Sequence, residues 1–158
     1  MAVRTNKLKQ LNLNPLSIVK YFWKKEGIDD YALIQDFLYL TYREILKKEN
    51  KVLFKEKFQA WEGGPFLESV YQQMKLNFKE HESLDCLFEQ VEDIEDKTIK
   101  SYLNKVHCDY QNSKKKGGEI DFFFQTQDTS WEQVREKVNG ESRPHIFMEP
   151  SKIINLTN

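Results

Sequence analysis

A mainly α fold, built as a single domain, is what this sequence predicts, on three observations. Apolar residues recur three and four apart in one segment after another, the spacing of a helix face. Helix-starting and helix-ending residues bracket those segments, Asn14-Pro15 and Gly27 around the first of them. The chain is 158 residues long, with no repeats and no clear linker, the size of one ordinary domain.

The elements follow in order. Residues 1–13 are polar and weakly periodic and read as a flexible N-terminal arm, ahead of a single domain over 14–158. The first helix carries Ile18, Val19, Phe22 and Trp23 on one face. Asp29-Asp30 opens the longest helix, to about residue 48, with Leu33, Ile34, Phe37, Leu38, Thr41, Tyr42 and Ile45 on one broad apolar face. Lys47 and Lys48 complement the negative end of its dipole. This helix is expected to be central, with Phe37 and Leu38 packed against the region of Trp61. Residues 51–61 hold short apolar runs around Lys55-Glu56-Lys57 and fit a short β-hairpin near 52–61 or a loop with a turn.

Gly63-Gly64-Pro65 breaks the chain, and Pro65 is placed to start a helix carrying Leu67, Val70, Tyr71 and Met74. Ser83 is a cap for the next, with Leu84, Leu87, Phe88 and Val91 inward. Ile99, Tyr102, Leu103 and Val106 predict a helix over about 97–110, followed by a lysine-rich loop at 111–119. Phe122-Phe123-Phe124 fits a buried strand or a short buried helix. Thr129 with Glu132 and Ser130 with Gln133 form overlapping capping boxes, so a short helix bearing Trp131, Val134 and Val138 starts there and closes at Gly140. Pro150 opens a last turn with Ile153 and Ile154.

Composition narrows the function classes. Aromatic residues make up 13% and charged residues 31%, a supply for a core and for a solvated surface. No apolar run approaches the ~20 residues that cross a bilayer, and the N-terminus does not read as a signal peptide. Cys86 and Cys108 make no disulfide framework, so reduced thiols and a cytoplasmic location are expected. Charge is uneven. Residues 1–60 carry 12 basic against 7 acidic side chains, and residues 61–110 carry 5 against 11. Separate basic and acidic faces, or mixing of the two on folding, are both open.

The chemistry-bearing residues make no catalytic pattern. His81, Cys86, His107, Cys108 and His145 lack C-x-x-C and H-x-x-x-H spacing, so no metal is expected. His81 lies before the helix of Cys86, and a small buried hydrophobe is the expected state of that cysteine. Lys114 to Gly118 supplies charge and glycine but no phosphate-loop spacing, and at Gly63-Gly64 the following Pro65 removes an N–H that an anion site would use. The basic first third is offset by a slightly acidic whole, which speaks against nucleic acid as a partner. No cofactor is called for and no enzyme is expected.

One stretch is specific. The helix Ile34-Gln35-Asp36-Phe37-Leu38-Tyr39-Leu40 leads to Leu53-Phe54, then to the turn Ala60-Trp61-Glu62-Gly63-Gly64-Pro65, then to Val70-Tyr71. Asp128-Thr129-Ser130-Trp131 follows near the C-terminal end. In order and spacing this resembles the Panacea domain, the SocA-like antitoxin and phage-associated family. Asp36 and Leu40 depart from the family's usual Lys and Tyr, and residues 97–127 look longer than its usual connection. The resemblance carries Gln35, Tyr39, Phe54, Ala60, Trp61, Gly64, Pro65, Tyr71 and Trp131 over as motif residues, mainly structural, with contact to a partner as a second role. Trp61 is expected as a core anchor with Tyr71 packed against it. The function implied is that of an antitoxin binding a cognate protein toxin. Two alternatives accompany it. One is an adaptor delivering a client to a cytosolic ATP-dependent protease or chaperone. The other is a nucleic-acid-binding regulator.

Overall fold

The computed structural model describes residues 8–81, 83–138 and 146–156. The first half holds β1 (Lys9–Gln10), α1 (Pro15–Glu26), α2 (Tyr31–Glu49), β2 (Lys51–Val52), β3 (Gln59–Trp61) and β4 (Gly64–Phe66). The second half holds α3 (Glu68–His81), α4 (Leu84–Glu89), α5 (Lys97–Lys115), α6 (Glu119–Phe124), α7 (Thr129–Arg135) and α8 (Pro150–Leu156). The fold is mainly helical with one short hairpin, as the sequence predicts.

The three longer capped helices begin where a side-chain oxygen takes up an otherwise unpaired amide. Asn14 accepts from the Leu16 amide at 3.0 Å ahead of α1. Asp30 accepts from Leu33 at 2.8 Å ahead of α2, and Asp96 from Ile99 at 2.9 Å ahead of α5. Gly27 and Asn50 end α1 and α2 in the left-handed conformation, each amide closing on the carbonyl four residues back.

α2 is buried on almost every side from Ile34 to Tyr42. Phe37 stacks on Phe22 of α1 at 4.1 Å between ring centroids and meets Tyr110 of α5 and Phe122 of α6 at 5.1 and 5.4 Å. Tyr39 and Tyr42 reach the other way, to Phe58 at 5.2 and 5.1 Å. Phe37 therefore does not pack toward Trp61: two residues along a helix turn a side chain by about 200°, and Tyr39 takes that direction. Phe54, fully buried against Tyr42 and Phe58, is a core residue.

The hairpin is β3 with β4, antiparallel, pairing Gln59 with Phe66, Ala60 with Pro65 and Trp61 with Gly64. The apolar run at 52–54 is not one of its arms. Val52 pairs in parallel with Gln10, and the Leu11 and Leu13 amides donate to the Val52 and Leu53 carbonyls at 2.8 and 3.0 Å. Within the segment expected as a flexible arm, the Lys9, Leu11 and Leu13 amides thus donate to carbonyls of residues 50–53; residues 1–7 lie outside the described residues. Pro65 does not start a helix. It sits in β4, where its fixed φ suits an extended edge position, and α3 begins at Glu68.

Further expectations shift in the same way. α5 runs on through Lys115, so residues 111–115 are helical and only the turn around Gly117 breaks the chain. The triple phenylalanine is helical in α6. Asp128 caps α7 from one residue before the predicted boxes, its Oδ1 accepting from the Trp131 amide at 3.0 Å. A carboxylate at the cap also suits the positive helix end. Pro150 does open a helix, with Ile153 fully buried, while Gly140 and His145 lie outside the described residues. Both cysteines are free and exposed, on the polar faces of α4 and α5, so Cys86 is not a core residue. The opposite charges partly mix: Asp93 meets Lys20 at 3.1 Å and Lys24 at 3.5 Å, and Lys57 meets Glu149 at 2.9 Å. Among the described residues no helix is long and apolar enough to cross a membrane.

Candidate functional site

The motif residues gather around the hairpin, and α2 fixes them from beneath. Gln35 is buried and clamps the start of α3 with one carboxamide, accepting from the Leu67 amide at 2.7 Å and donating to the Leu67 carbonyl at 3.2 Å. One turn on, Tyr39 donates its hydroxyl to Asp128 Oδ2 at 2.6 Å and lies 3.1 Å from the Ser130 hydroxyl. Burial and the Asp128 charge raise the Tyr39 hydroxyl well above its usual range, so it stays protonated and donating. Arg43, another turn along, reaches the same carboxylate oxygen at 3.0 Å and the Gln125 carbonyl at 2.8 Å. Its guanidinium lies 5.7 Å from the centre of the Tyr39 ring.

Asp128 passes this anchorage on. It caps α7, which presents Trp131, and the Trp131 indole donates to the Trp61 carbonyl at 2.7 Å. Arg135 donates to the Ala60 carbonyl at 3.1 Å. Gly64 turns back at φ +132°, and a Cβ placed on it would stand 3.1 Å from the Thr126 hydroxyl oxygen. Gln59, Ala60, Gly64 and Pro65 are all buried.

What the hairpin holds out is aromatic. Trp61 is half-buried, not the core anchor expected: its indole stacks on Phe66 at 3.8 Å and donates to Gln59 Oε1 at 2.7 Å. The buried places beside it belong to Phe58 and Ala60. Tyr71 does pack into this group, but through Phe66, at 5.4 Å. The row continues from Tyr71 to Tyr31 at 5.4 Å and from Tyr31 to Phe78 at 6.0 Å. All five rings are partly exposed. Partial burial raises the Tyr31 hydroxyl, with the Tyr71 phenol adding to it.

The structure thus brings together Gln35, Tyr39, Ala60, Trp61, Gly64, Pro65, Tyr71 and Trp131, and leaves Phe54 apart in the core. Sequence reasoning missed Arg43, Phe66 and Tyr31, and the role of Asp128 as the junction. Arg43 carried one faint signal, its place four residues after Tyr39 on the same helix face. Phe66 carried none, since it lies inside a segment read as helix.

Chemically the arrangement offers ring faces on a rigid support. Among the described residues no three His, Cys, Asp or Glu side chains are placed to hold a metal ion. Asp36, buried one residue from Gln35, has its carboxyl pushed up to about 8 by burial and by the Asp30 charge.

Neither the curated proteins nor the solved structures hold a match to this chain. A family model does match, that of the antitoxin SocA-like, Panacea domain, over residues 34–144. That span begins at the helix carrying Gln35 and Tyr39 and takes in the hairpin, α3, α5 and α7. With most of its length matched, and with the motif residues meeting at one anchored hairpin, the chain belongs to the SocA-like Panacea domain family.

Proposed function

We propose that this chain is an antitoxin that neutralises a cognate protein toxin by direct, non-catalytic binding through the row of Trp61, Phe66, Tyr71, Tyr31 and Phe78. One observation carries the reading: five half-exposed aromatic rings in mutual contact on an anchored hairpin and helix. Large rigid aromatics give much contact area for little lost side-chain freedom, and Trp and Tyr dominate the residues on which interfaces depend. The support is already made, through Gln35 and Asp128, so little ordering opposes binding. Family membership supports a toxin as the class of partner.

The test is co-expression with any small protein whose gene adjoins the gene of this chain. Wild type should restore growth and co-purify with it at about one-to-one. The Trp61→Ala/Phe66→Ala variant should keep its helical circular dichroism and lose affinity about 30-fold or more. Full protection by that variant would move the interface elsewhere. A neighbour that is harmless without this chain would end the antitoxin reading.

A further inference from the structure

A cleft of about 300 Å³ lies between α1, the start of α5 and the segment that joins α4 to α5. Small-molecule sites begin at about that size. Tyr21 and Ile94 give the cleft apolar walls. Lys24, Lys25 and Lys100 line it as well, against one carboxylate, that of Asp93. Asp93 is already shared: its Oδ1 lies 3.1 Å from the Lys20 ammonium and 3.5 Å from that of Lys24. The Lys20 hydrogen bond, with the charges of Lys20 and Lys24, holds the exposed Asp93 carboxyl below its ordinary value, so the field there favours an anion.

The acids around the cleft do not answer its remaining cations. Asp96 caps α5 on the Ile99 amide at 2.9 Å, and Glu26 takes His107 at 2.8 Å and Lys114 at 3.5 Å. Asp85 and Glu89 line the neighbouring groove with Lys20 and Lys24. Glu92 and Glu95 flank Asp93 in sequence but do not line the cleft. Lys25 stands 5.7 Å from the centre of the Tyr21 ring and, like Lys100, makes no ion pair among the described residues.

We propose that this cleft binds a phosphate monoester the size of a nucleoside monophosphate, its phosphate held by Lys25 and Lys100 and its base lying against Tyr21 and Ile94. A phosphate monoester carries about −1.5 to −2 charge at neutral pH, which matches two unpaired ammonium groups, whereas a single carboxylate would leave one of them unanswered. Lysine binds phosphate as a point charge, and an aromatic ring offers any base a stacking face. The site shares no residue with the aromatic row, and α1, which supplies half of it, precedes the span matched by the family model.

Calorimetric titration of the full chain with adenosine monophosphate, adenosine and inorganic phosphate tests the site. The nucleotide should bind saturably and one-to-one at low salt, and adenosine should give no binding heat. Inorganic phosphate, which cannot stack, should bind about tenfold more weakly. Lys25→Gln/Lys100→Gln should weaken the nucleotide about tenfold with circular dichroism unchanged. Asp93→Asn, which removes the competing carboxylate, should tighten it about threefold. Lys137→Gln/Lys152→Gln removes equal charge from exposed positions elsewhere and should change it less than about twofold. Absence of saturable nucleotide binding overturns the proposal, and so does equal weakening by the distal pair, which would leave only diffuse charge. Inorganic phosphate bound as tightly as the nucleotide removes the base and the ligand class with it. A single-stranded oligonucleotide bound far more tightly than the mononucleotide, through the same two lysines, overturns the small ligand in favour of nucleic acid.

Discussion

Gly64 and its neighbour Gly63 separate two meanings of the same residue type. Gly64 holds φ +132° and faces the Thr126 hydroxyl, whereas nothing stands within 4 Å of a Cβ at Gly63. Gly64→Ala should therefore cost about 1–3 kcal/mol of unfolding free energy, the range for a side chain forced into a sparsely populated backbone conformation. Gly63→Ala should stay within about 0.5 kcal/mol. Urea denaturation of the two variants side by side checks this. Asp36 makes a different residue-scale prediction. Its carboxyl titrates at about 8 in the fold against an ordinary value of 3.8, chiefly because burial disfavours the charge. Between these values the folded chain holds a proton that the unfolded chain has lost, so stability falls as pH rises through the window and levels off above about 8. Asp36→Asn should remove that component, leaving the variant more stable relative to wild type at pH 7 than at pH 5, as measured by urea midpoints at the two values. Gln35 and Trp61 were both legible as motif residues, but Gln35 is buried against the start of α3 whereas Trp61 lies half-buried on the hairpin. A tryptophan beside two glycines looks the same in sequence whether its ring points into a core or lies on a hairpin surface.

Helices were the readable elements, because a 3.6-residue period and a cap are local facts. The starts of α1, α2 and α4 fall at Asn14, Asp30 and Ser83, as their sequences predict. Strands were not readable in this way. β1 and β2 are two residues each and exist by pairing across more than forty positions. β4 contains a proline that, on local grounds, starts a helix equally well. The cap of α7 is the element on which the hairpin depends, since Asp128 serves the Trp131 amide, the Tyr39 hydroxyl and the Arg43 guanidinium together. Removing it loses a cap worth about 1 kcal/mol and leaves a mostly buried guanidinium and a buried phenol short of a partner. Asp128→Ala should thus lower stability by about 3 kcal/mol in all, and Asp128→Asn, which keeps a capping oxygen, by less. Guanidinium chloride denaturation distinguishes the two.

Across the whole molecule the C-terminal part braces the hairpin from outside while α2 braces it from beneath. Trp131 and Arg135 bond to the Trp61 and Ala60 carbonyls, and Met148 donates to the Phe58 carbonyl at 2.7 Å. Hydrogen exchange followed by mass spectrometry on Asp128→Ala should show residues 59–66 and 129–138 losing protection together, with the first three turns of α5 unchanged, since coupled contacts open as one unit. Exchange that rose only in α7 would show the hairpin to be held without it. By itself the sequence determined the helical class, the caps of α1 and α2 with their extents to within about a residue, and the family motif, because a helical period, a cap and an ordered run of residue types are all legible along the chain. Only the tertiary structure decided that the first strand pairs with β2, that Asp128 joins α2 to α7, and that Trp61, Phe66, Tyr71, Tyr31 and Phe78 form one exposed row. Those features depend on the directions side chains take once α2, the hairpin and α3 have packed, and no local spacing encodes the angle at which separate elements meet.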